Sequence, residues 1–204
     1  MSGLSPEEDA LRRRVKEELR HRMRSVRRAL PDEARAARSA RIWERVLARG
    51  EWASASTVML FLSMRTEVQT AAAAEAAWAA GKRVCAPRMT EHGLEVREWQ
   101  QGVEPERTGS MRVPEPPHDA PIVDPAEVDL VIVPALALDD RGARIGYGAG
   151  YYDRLLPRLS RAARIGVVYD FQLVTEVPET EGDERVGVVV SDERVIEVEP
   201  AASS

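Results

Sequence analysis

The sequence predicts an α/β protein of three layers, with a mainly parallel sheet flanked by helices and a helical hairpin at the N-terminus. Three observations carry this. Two apolar runs, Thr57-Val58-Met59-Leu60-Phe61-Leu62 and Leu130-Val131-Ile132-Val133-Pro134, have the composition of strands covered on both faces. Helical spacing separates the strand patterns, as parallel connections require. Residues 1–50 show two helical stretches and no strand pattern.

The chain opens on Ser5-Pro6-Glu7-Glu8, where Ser5 can cap a helix, Pro6 suits its first position and Glu8 completes a capping box. That helix is expected to run to about Leu30. Leu11, Val15, Leu19, Met23 and Val26 recur every three or four residues as its apolar positions, leaving the arginines to the other faces. Lys16 and Arg20 lie one turn apart and could touch one anionic ligand, against the plainer reading of a solvated basic face. Pro31-Asp32-Glu33 starts a second helix through Ile42, Trp43, Val46 and Leu47, which Gly50 is placed to end.

Ser63-Met64-Arg65-Thr66-Glu67 follows the first strand at its C-terminal end, where open α/β sheets place ligands. Glu67 reads equally as a substrate anchor and as an acid near the start of the next helix. Thr70 to Ala80 is an alanine-rich crossover helix stopped by Gly81, leading to a strand from Arg83 to Ala86. Leu94 to Trp99 alternates as a strand. Gln100 to Ala120, rich in proline, glycine and charge, is expected to be a long loop serving as a lid or substrate wall. The strand within Val128 to Leu138 is the most apolar. Tyr151 to Leu159 has helical spacing, Arg164 to Tyr169 is a strand ended by Asp170, and Val186 to Val190 and Val195 to Val198 are strands around the turn Ser191-Asp192-Glu193.

With 204 residues, 44% hydrophobic and 31% charged, the chain is expected to be one α/β domain over 1–204, the hairpin at 1–50 and the sheet-containing core at 51–204. No apolar run approaches the roughly 20 residues a membrane helix needs, and no signal core precedes the first helix, so a cytoplasmic location is expected. Cys85, the single cysteine, reads as a small core residue. The net charge of -5 argues against a general nucleic-acid binder. Arginines are dense between Arg12 and Arg49, and acids dominate beyond Asp170.

The chemistry concentrates in Asp139 to Arg154. Gly146, Gly148 and Gly150 free the backbone amides to curl around an anion, and a helix from Tyr151 would put them at its positive end. Arg144 could pair with phosphate oxygens, and Asp153 could hold a divalent cation. No Walker A motif closes this loop. A dinucleotide fingerprint is nearer, because Asp170 ends a strand about twenty residues later and could bind a ribose. Its third glycine is out of place, however, and about a dozen residues separate Pro134 from Gly146, where that fingerprint turns directly off its strand.

The run Arg144-Ile145-Gly146-Tyr147-Gly148-Ala149-Gly150-Tyr151-Tyr152-Asp153 closely resembles the signature of 5-formyltetrahydrofolate cyclo-ligases, also called methenyltetrahydrofolate synthetases. The resemblance spans nearly the whole chain. It includes Lys16-Glu17-Glu18-Leu19-Arg20, Phe61-Leu62-Ser63-Met64 with Glu67, Gly81-Lys82-Arg83-Val84 with Pro87, and Val113-Pro114-Glu115-Pro116. It continues through Pro134 to Asp139, Tyr169-Asp170-Phe171-Gln172-Leu173, and Val177-Pro178 with Asp183.

That resemblance implies an ATP- and Mg²⁺-dependent ligase of one-carbon metabolism that closes 5-formyltetrahydrofolate to 5,10-methenyltetrahydrofolate. It implies that Lys16, Arg20 and the run Arg144, Ile145, Gly146, Tyr147, Gly148, Ala149, Gly150, Tyr151 and Tyr152 bind ATP. Leu62, Glu67, Met111, Tyr147, Gly148, Ala149, Gly150 and Tyr151 would meet the folate, Asp153 and Asp183 would hold magnesium, and Arg144, Lys16 and Tyr151 would be catalytic. The partner expected is a small molecule, a folate that can carry several glutamates, with no nucleic acid and no membrane, and the chain is expected to act as a monomer. Three positions depart from the family pattern: Ala149 where many members have glycine, Met111 where some have tryptophan, and Gly187 in place of an acid. The alternatives are a folate- or nucleotide-binding protein without turnover, for which Ala149 and Met111 would be the clue, and a nicotinamide-dependent oxidoreductase built around Asp170.

Overall fold

The computed structural model describes residues 5–109 and 112–199. Helices α1 (Pro6–Ala29), α2 (Asp32–Leu47) and α3 (Gly50–Ser54) precede strand β1 (Thr57–Met59). Helix α4 (Ala71–Ala79) leads to β2 (Arg83–Thr90) and β3 (Gly93–Glu98), followed by β4 (Glu106–Thr108) and β5 (Val113–Glu115). Then come β6 (Leu130–Pro134), β7 (Ala137–Leu138), β8 (Arg144–Ile145), α5 (Tyr151–Leu155), β9 (Ala163–Val167), β10 (Val188–Val190) and β11 (Val195–Glu197).

Seven strands form the main sheet in the order β11-β10-β9-β6-β1-β2-β3. The inner five run parallel, and antiparallel β11 and β3 cover the two edges. From β1 the chain crosses first to β2 on one side, then continues to β6, β9 and β10 on the other, so the direction of winding reverses between β1 and β6. In such sheets ligands settle outside the carboxyl ends of the strands at that reversal.

Burial on both faces explains the unbroken apolar runs. Along β6, Leu130 and Ile132 enter a cluster with Ile42, Trp43 and Val46 of α2 and Ala73, Ala74 and Ala77 of α4. Val131 and Val133 point the opposite way, into a cluster with Leu155, Leu156 and Leu159. Cys85 belongs to that second core, fully buried, and burial pushes its thiol from the ordinary 9.0 up to about 12. Helix α4 ends as expected: the Gly81 N–H donates to the Trp78 carbonyl and the Lys82 N–H to that of Ala77, the two bonds of a Schellman closure.

Helix α1 departs from expectation. Its capping box is present, with the Glu8 N–H on the Ser5 hydroxyl at 3.2 Å and the Ser5 N–H on the Glu8 carboxylate at 2.9 Å. Yet Leu11, Val15 and Val26 are exposed, and the buried residues of the helix are Lys16, Met23 and Arg27. The reason is what lies beneath it. Apart from Met23 and the partly buried Leu19, which meet Leu136, Ala137 and Ile145, α1 covers loop carbonyls and carboxylates, and these require donors rather than methyl groups.

Four smaller corrections follow. Gly50 does not end the second helix but begins α3. Only Thr57–Met59 pair as a strand, while Leu60, Phe61 and Leu62 run on past the sheet, Leu60 still donating its N–H to the Cys85 carbonyl. The stretch from Gln100 to Ala120 contains the hairpin β4–β5, so it is not structureless, and Arg88 ties it to the sheet through Glu106 at 2.8 Å. Helix α5 stops at Leu155 and gives way to a 3-10 turn over Leu156–Arg158 around Pro157, which has no N–H to continue the helix.

Candidate functional site

A cleft of about 830 Å³ opens at the carboxyl ends of the strands where the winding reverses. Phe61 and Leu62 beyond β1, Pro87 in β2 and Pro134 at the end of β6 form its floor, and Met89, Leu94, Val113 and Pro114 add an apolar wall. Opposite stand Lys16 and Arg20 of α1, residues 146–154, and Thr180 to Asp183.

The glycine loop is held from behind. Arg20 Nε donates to the Gly146 carbonyl at 3.0 Å, Arg24 Nη2 to the Tyr147 carbonyl at 3.1 Å, and Arg154 Nη2 to the Ala149 carbonyl at 3.1 Å. The N–H groups of Tyr147 to Gly150 have no hydrogen-bond partner among the described residues. A loop with its carbonyls taken by arginines and its amides open is suited to an anion. At Gly148 φ is +105°, so the turn itself calls for glycine, while a Cβ there would lie 3.4 Å from the Arg20 guanidinium carbon, in ordinary contact.

Arg144 sits within β8, its side chain 4% exposed. Its Nη2 donates to Asp153 Oδ1 at 2.6 Å and its guanidinium lies 5.7 Å from the Tyr152 ring centre. Burial pulls its pKa below the ordinary arginine value, against the attraction of Asp153, Tyr152, Asp183 and Glu184. Arg144 Nε and the Tyr152 hydroxyl are buried with no protein partner. Unpaired buried groups of this kind are costly in a finished fold, and the Nε atoms of Arg27, Arg35 and Arg49 share the condition.

On the same side of the cleft, Lys16 Nζ donates to Thr180 Oγ1 at 2.9 Å and to Asp183 Oδ2. Asp153 and Asp183 thus each give one oxygen to a cation. Asp153 Oδ2 and Asp183 Oδ1 have no protein partner among the described residues. Those residues contain no group of three or more His, Cys, Asp or Glu side chains able to hold a metal by themselves. Two open carboxylate oxygens do suit a magnesium ion that takes its other ligands from water and nucleotide phosphates.

Glu67 is buried at the inner end. Oε2 accepts the Met64 N–H at 2.8 Å and Oε1 the Tyr147 hydroxyl at 2.7 Å. Burial raises its pKa, opposed by Arg27, the Met64 N–H and Tyr147. Burial likewise raises the phenols of Tyr147 and Tyr152, so both stay protonated as donors.

Of the residues singled out from the sequence, Lys16, Arg20, Leu62, Glu67, Arg144, Gly146 to Asp153 and Asp183 line this one cleft. Ile145 does not: its side chain turns into the core beside Leu136 and Met23, and its carbonyl accepts the Leu136 N–H at 2.7 Å. Met111 lies outside the described residues. Asp170 is away from the cleft, bound to Arg194 at 2.8 Å and to the Ser191 hydroxyl at 2.7 Å, which leaves the ribose-binding reading without a site. Arg24, Arg27 and Thr180 were missed. Arg24 and Arg27 share the 3.6-residue spacing of Lys16 and Arg20, and that was the available signal.

Comparison with known proteins is consistent along the chain. The model of the 5-formyltetrahydrofolate cyclo-ligase family matches residues 12–192. The chain is 31% identical over 184 residues to the 5-formyltetrahydrofolate cyclo-ligase of Escherichia coli K12, spanning 86% of this chain and 99% of that one. It is 26% identical over 194 residues to the mouse 5-formyltetrahydrofolate cyclo-ligase, spanning 89% and 94%. The structure of Aquifex aeolicus 5,10-methenyltetrahydrofolate synthetase superposes with a TM-score of 0.80 at 27% identity, covering 93% of this chain and 96% of that one.

Proposed function

This chain belongs to the 5-formyltetrahydrofolate cyclo-ligase family, and we propose that it closes 5-formyltetrahydrofolate to 5,10-methenyltetrahydrofolate using ATP and Mg²⁺, with release of ADP and phosphate. The observation that carries this reading is the one cleft in which an open-amide glycine loop, the cations Lys16, Arg20 and Arg144, an apolar wall and Glu67 meet. One end suits phosphates, the other a flat heterocycle with N–H donors.

The formyl oxygen on N5 is amide-like and a poor leaving group. In the proposed sequence it takes the γ-phosphoryl group of ATP, forming a C–O–P linkage while the bond to ADP breaks. N10 then attacks the activated carbon, loses its proton, and phosphate departs with the C–O bond. Lys16 and Arg20 hold the nucleotide phosphates, and the amides of Tyr147 to Gly150 align them. Arg144 faces the phosphoryl group in transfer, where positive charge and fixed donors count most. Leu62 and Tyr151 border the folate. Glu67, an acceptor on both oxygens when ionised, orients the pterin edge. Asp153 and Asp183 would hold magnesium, which when bound supplies charge neutralisation between the phosphates.

The test is direct. The protein is mixed with 5-formyltetrahydrofolate, ATP and Mg²⁺, and the absorbance of the methenyl product is followed with ADP release. Equal amounts of the two products are expected, with neither formed when ATP is left out. Absence of product at saturating ATP would overturn the reading.

A further inference from the structure

Arg27 is a buried cation that the proposed reaction does not use. It projects from the last turns of α1 and is 3% exposed. Its Nη2 donates to the Thr66 hydroxyl at 2.9 Å and to the Tyr147 hydroxyl. Tyr147 in turn donates to Glu67 Oε1 at 2.7 Å, so guanidinium, phenol and carboxylate form a chain. The guanidinium also lies 5.7 Å from the centre of the Tyr147 ring. The void that Arg27 shares with Glu67, Val68 and Gln172 has no room for a water molecule. Solvent therefore does not balance the charge of Arg27 from that side, and Glu67 is the carboxylate facing it.

We infer that Arg27 is a positioning residue for folate recognition: acting through the Tyr147 hydroxyl, it fixes the direction of the Glu67 carboxylate and sets a buried positive charge opposite it. The inference rests on the proposed role of Glu67 as the pterin anchor. A carboxylate held by one backbone N–H alone could rotate. With Met64 on one oxygen and Tyr147 on the other, its plane is set, and each oxygen keeps a lone pair for the ligand. Arg27 ensures that Tyr147 donates toward Glu67, because a guanidinium has only donors and claims the phenol's lone pair. The titratable groups facing Glu67 are Arg27 from α1, Tyr147 from the glycine loop, Tyr152 from α5 and Tyr169 beyond β9, whose hydroxyl donates to the Glu67 carbonyl at 2.8 Å. Arg27 is the one cation among them, so losing it leaves burial unopposed by charge and the carboxyl tends to keep its proton.

The experiment compares full-length wild type, Arg27→Gln, Arg27→Lys and Tyr147→Phe by ADP release between pH 6 and 8, with KM determined separately for 5-formyltetrahydrofolate and for ATP. Arg27→Gln is expected to raise the folate KM about tenfold or more at pH 6, the usual effect of losing a hydrogen bond to a charged group. That KM should fall as pH rises and Glu67 ionises, while the ATP KM and kcat stay within about threefold of wild type. Arg27→Lys should restore most of the folate affinity and its flat pH profile. Tyr147→Phe should raise the folate KM at every pH, which keeps the test available if Arg27→Gln does not fold. An unchanged folate KM in both Arg27→Gln and Tyr147→Phe, in a protein whose wild type turns over, would overturn the inference and leave the cyclo-ligase reading intact. Parallel losses in kcat and in both KM values, with no recovery in Arg27→Lys, would make Arg27 merely structural and also overturn it. A wild type without turnover would strike at the reaction itself.

Discussion

Replacing Arg144 by methionine should separate catalysis from stability more sharply than any other change in the cleft. The guanidinium is nearly fully buried and burial lowers its pKa, so the folded state disfavours its charge relative to the unfolded chain despite the Asp153 pair. For a base whose pKa is depressed by folding, removing the charge relieves a cost. Methionine keeps much of the volume and contact with the Tyr152 ring. Asp153 is left without its cation, but its side chain is 27% exposed and keeps the Glu184 N–H at 3.3 Å, so water can solvate it. The two effects oppose each other, and the net change in stability should stay within about 1 kcal/mol, or roughly 2–4 °C in Tm for a chain of this length. Turnover should behave otherwise. Removing one fixed donor from a group that gains charge in the transition state typically lowers kcat by about 10²–10³. The assays are a thermal melt and single-turnover ADP formation at saturating ATP. A fall in Tm beyond about 10 °C would refute the balance of burial against pairing, and a kcat within tenfold of wild type would refute the assignment of Arg144 to the phosphoryl group.

Other consequences can be checked with the same material. Glu67→Ala should raise the KM for 5-formyltetrahydrofolate by at least about tenfold, from lost hydrogen bonds to a charged acceptor, with the KM for ATP nearly unchanged. Gly142→Ala should be severely destabilising, because φ is +76° and the new Cβ would sit 2.2 Å from the Val186 carbonyl oxygen; a loss of about 3 kcal/mol or more is expected by urea denaturation. Cys85 should resist alkylation at pH 8 in the native state and react on unfolding, because a thiol pushed up to about 12 is almost wholly protonated there. The same raised pKa means that its contribution to stability is intact below about pH 9 and is lost as pH rises toward 12, which a pH series of melts should register.

Much of this architecture is legible from residue patterns because burial on both faces of a parallel sheet leaves continuous apolar runs, as at Leu130 to Val133. The glycine loop is legible for a related reason: few backbones other than a turning, close-approached one call for glycine at alternate positions. The inward face of α1 is not legible by the same logic. Hydrophobic periodicity assumes that the buried side of a helix is apolar, and it selects Leu11, Val15 and Val26, which are exposed. The side that faces the protein carries Lys16, Arg20, Arg24 and Arg27, because the surface beneath it consists of carbonyls of the glycine loop and carboxylates of the cleft. The β4–β5 hairpin escapes for another reason. Its strands are three residues each, and Arg88 and Glu115, far apart in sequence, pin it through the Glu106 carboxylate and the Met89 N–H.

The uneven charge along the chain acquires a purpose once its ends are seen together. The basic N-terminal helix and the acidic stretch near residue 180 meet along one wall of the cleft, where Lys16 pairs with Asp183 and Arg12 donates to the Glu179 carbonyl at 2.9 Å. If Lys16 is to bind a nucleotide phosphate, Asp183 must lose its cation and find another, and an unbalanced carboxylate beside a phosphate repels it. Magnesium bound together with ATP would resolve this: Asp183 would hold the metal, which would supply the balancing charge, and Lys16 would be released to the phosphate. ATP without magnesium should therefore bind poorly to the native protein, and the fault should lie with Asp183. Asp183→Asn keeps the acceptor for the Thr180 N–H, at 2.7 Å in the native chain, but removes the charge. It should tighten binding of magnesium-free ATP about fivefold or more, as expected from deleting a like charge a few ångströms away in a partly screened site. Calorimetry in the presence of a chelator reads this without any turnover. Weaker binding of magnesium-free ATP to Asp183→Asn would mean that Asp183 serves the nucleotide by holding Lys16 in place, and the exchange of partners would have to be abandoned.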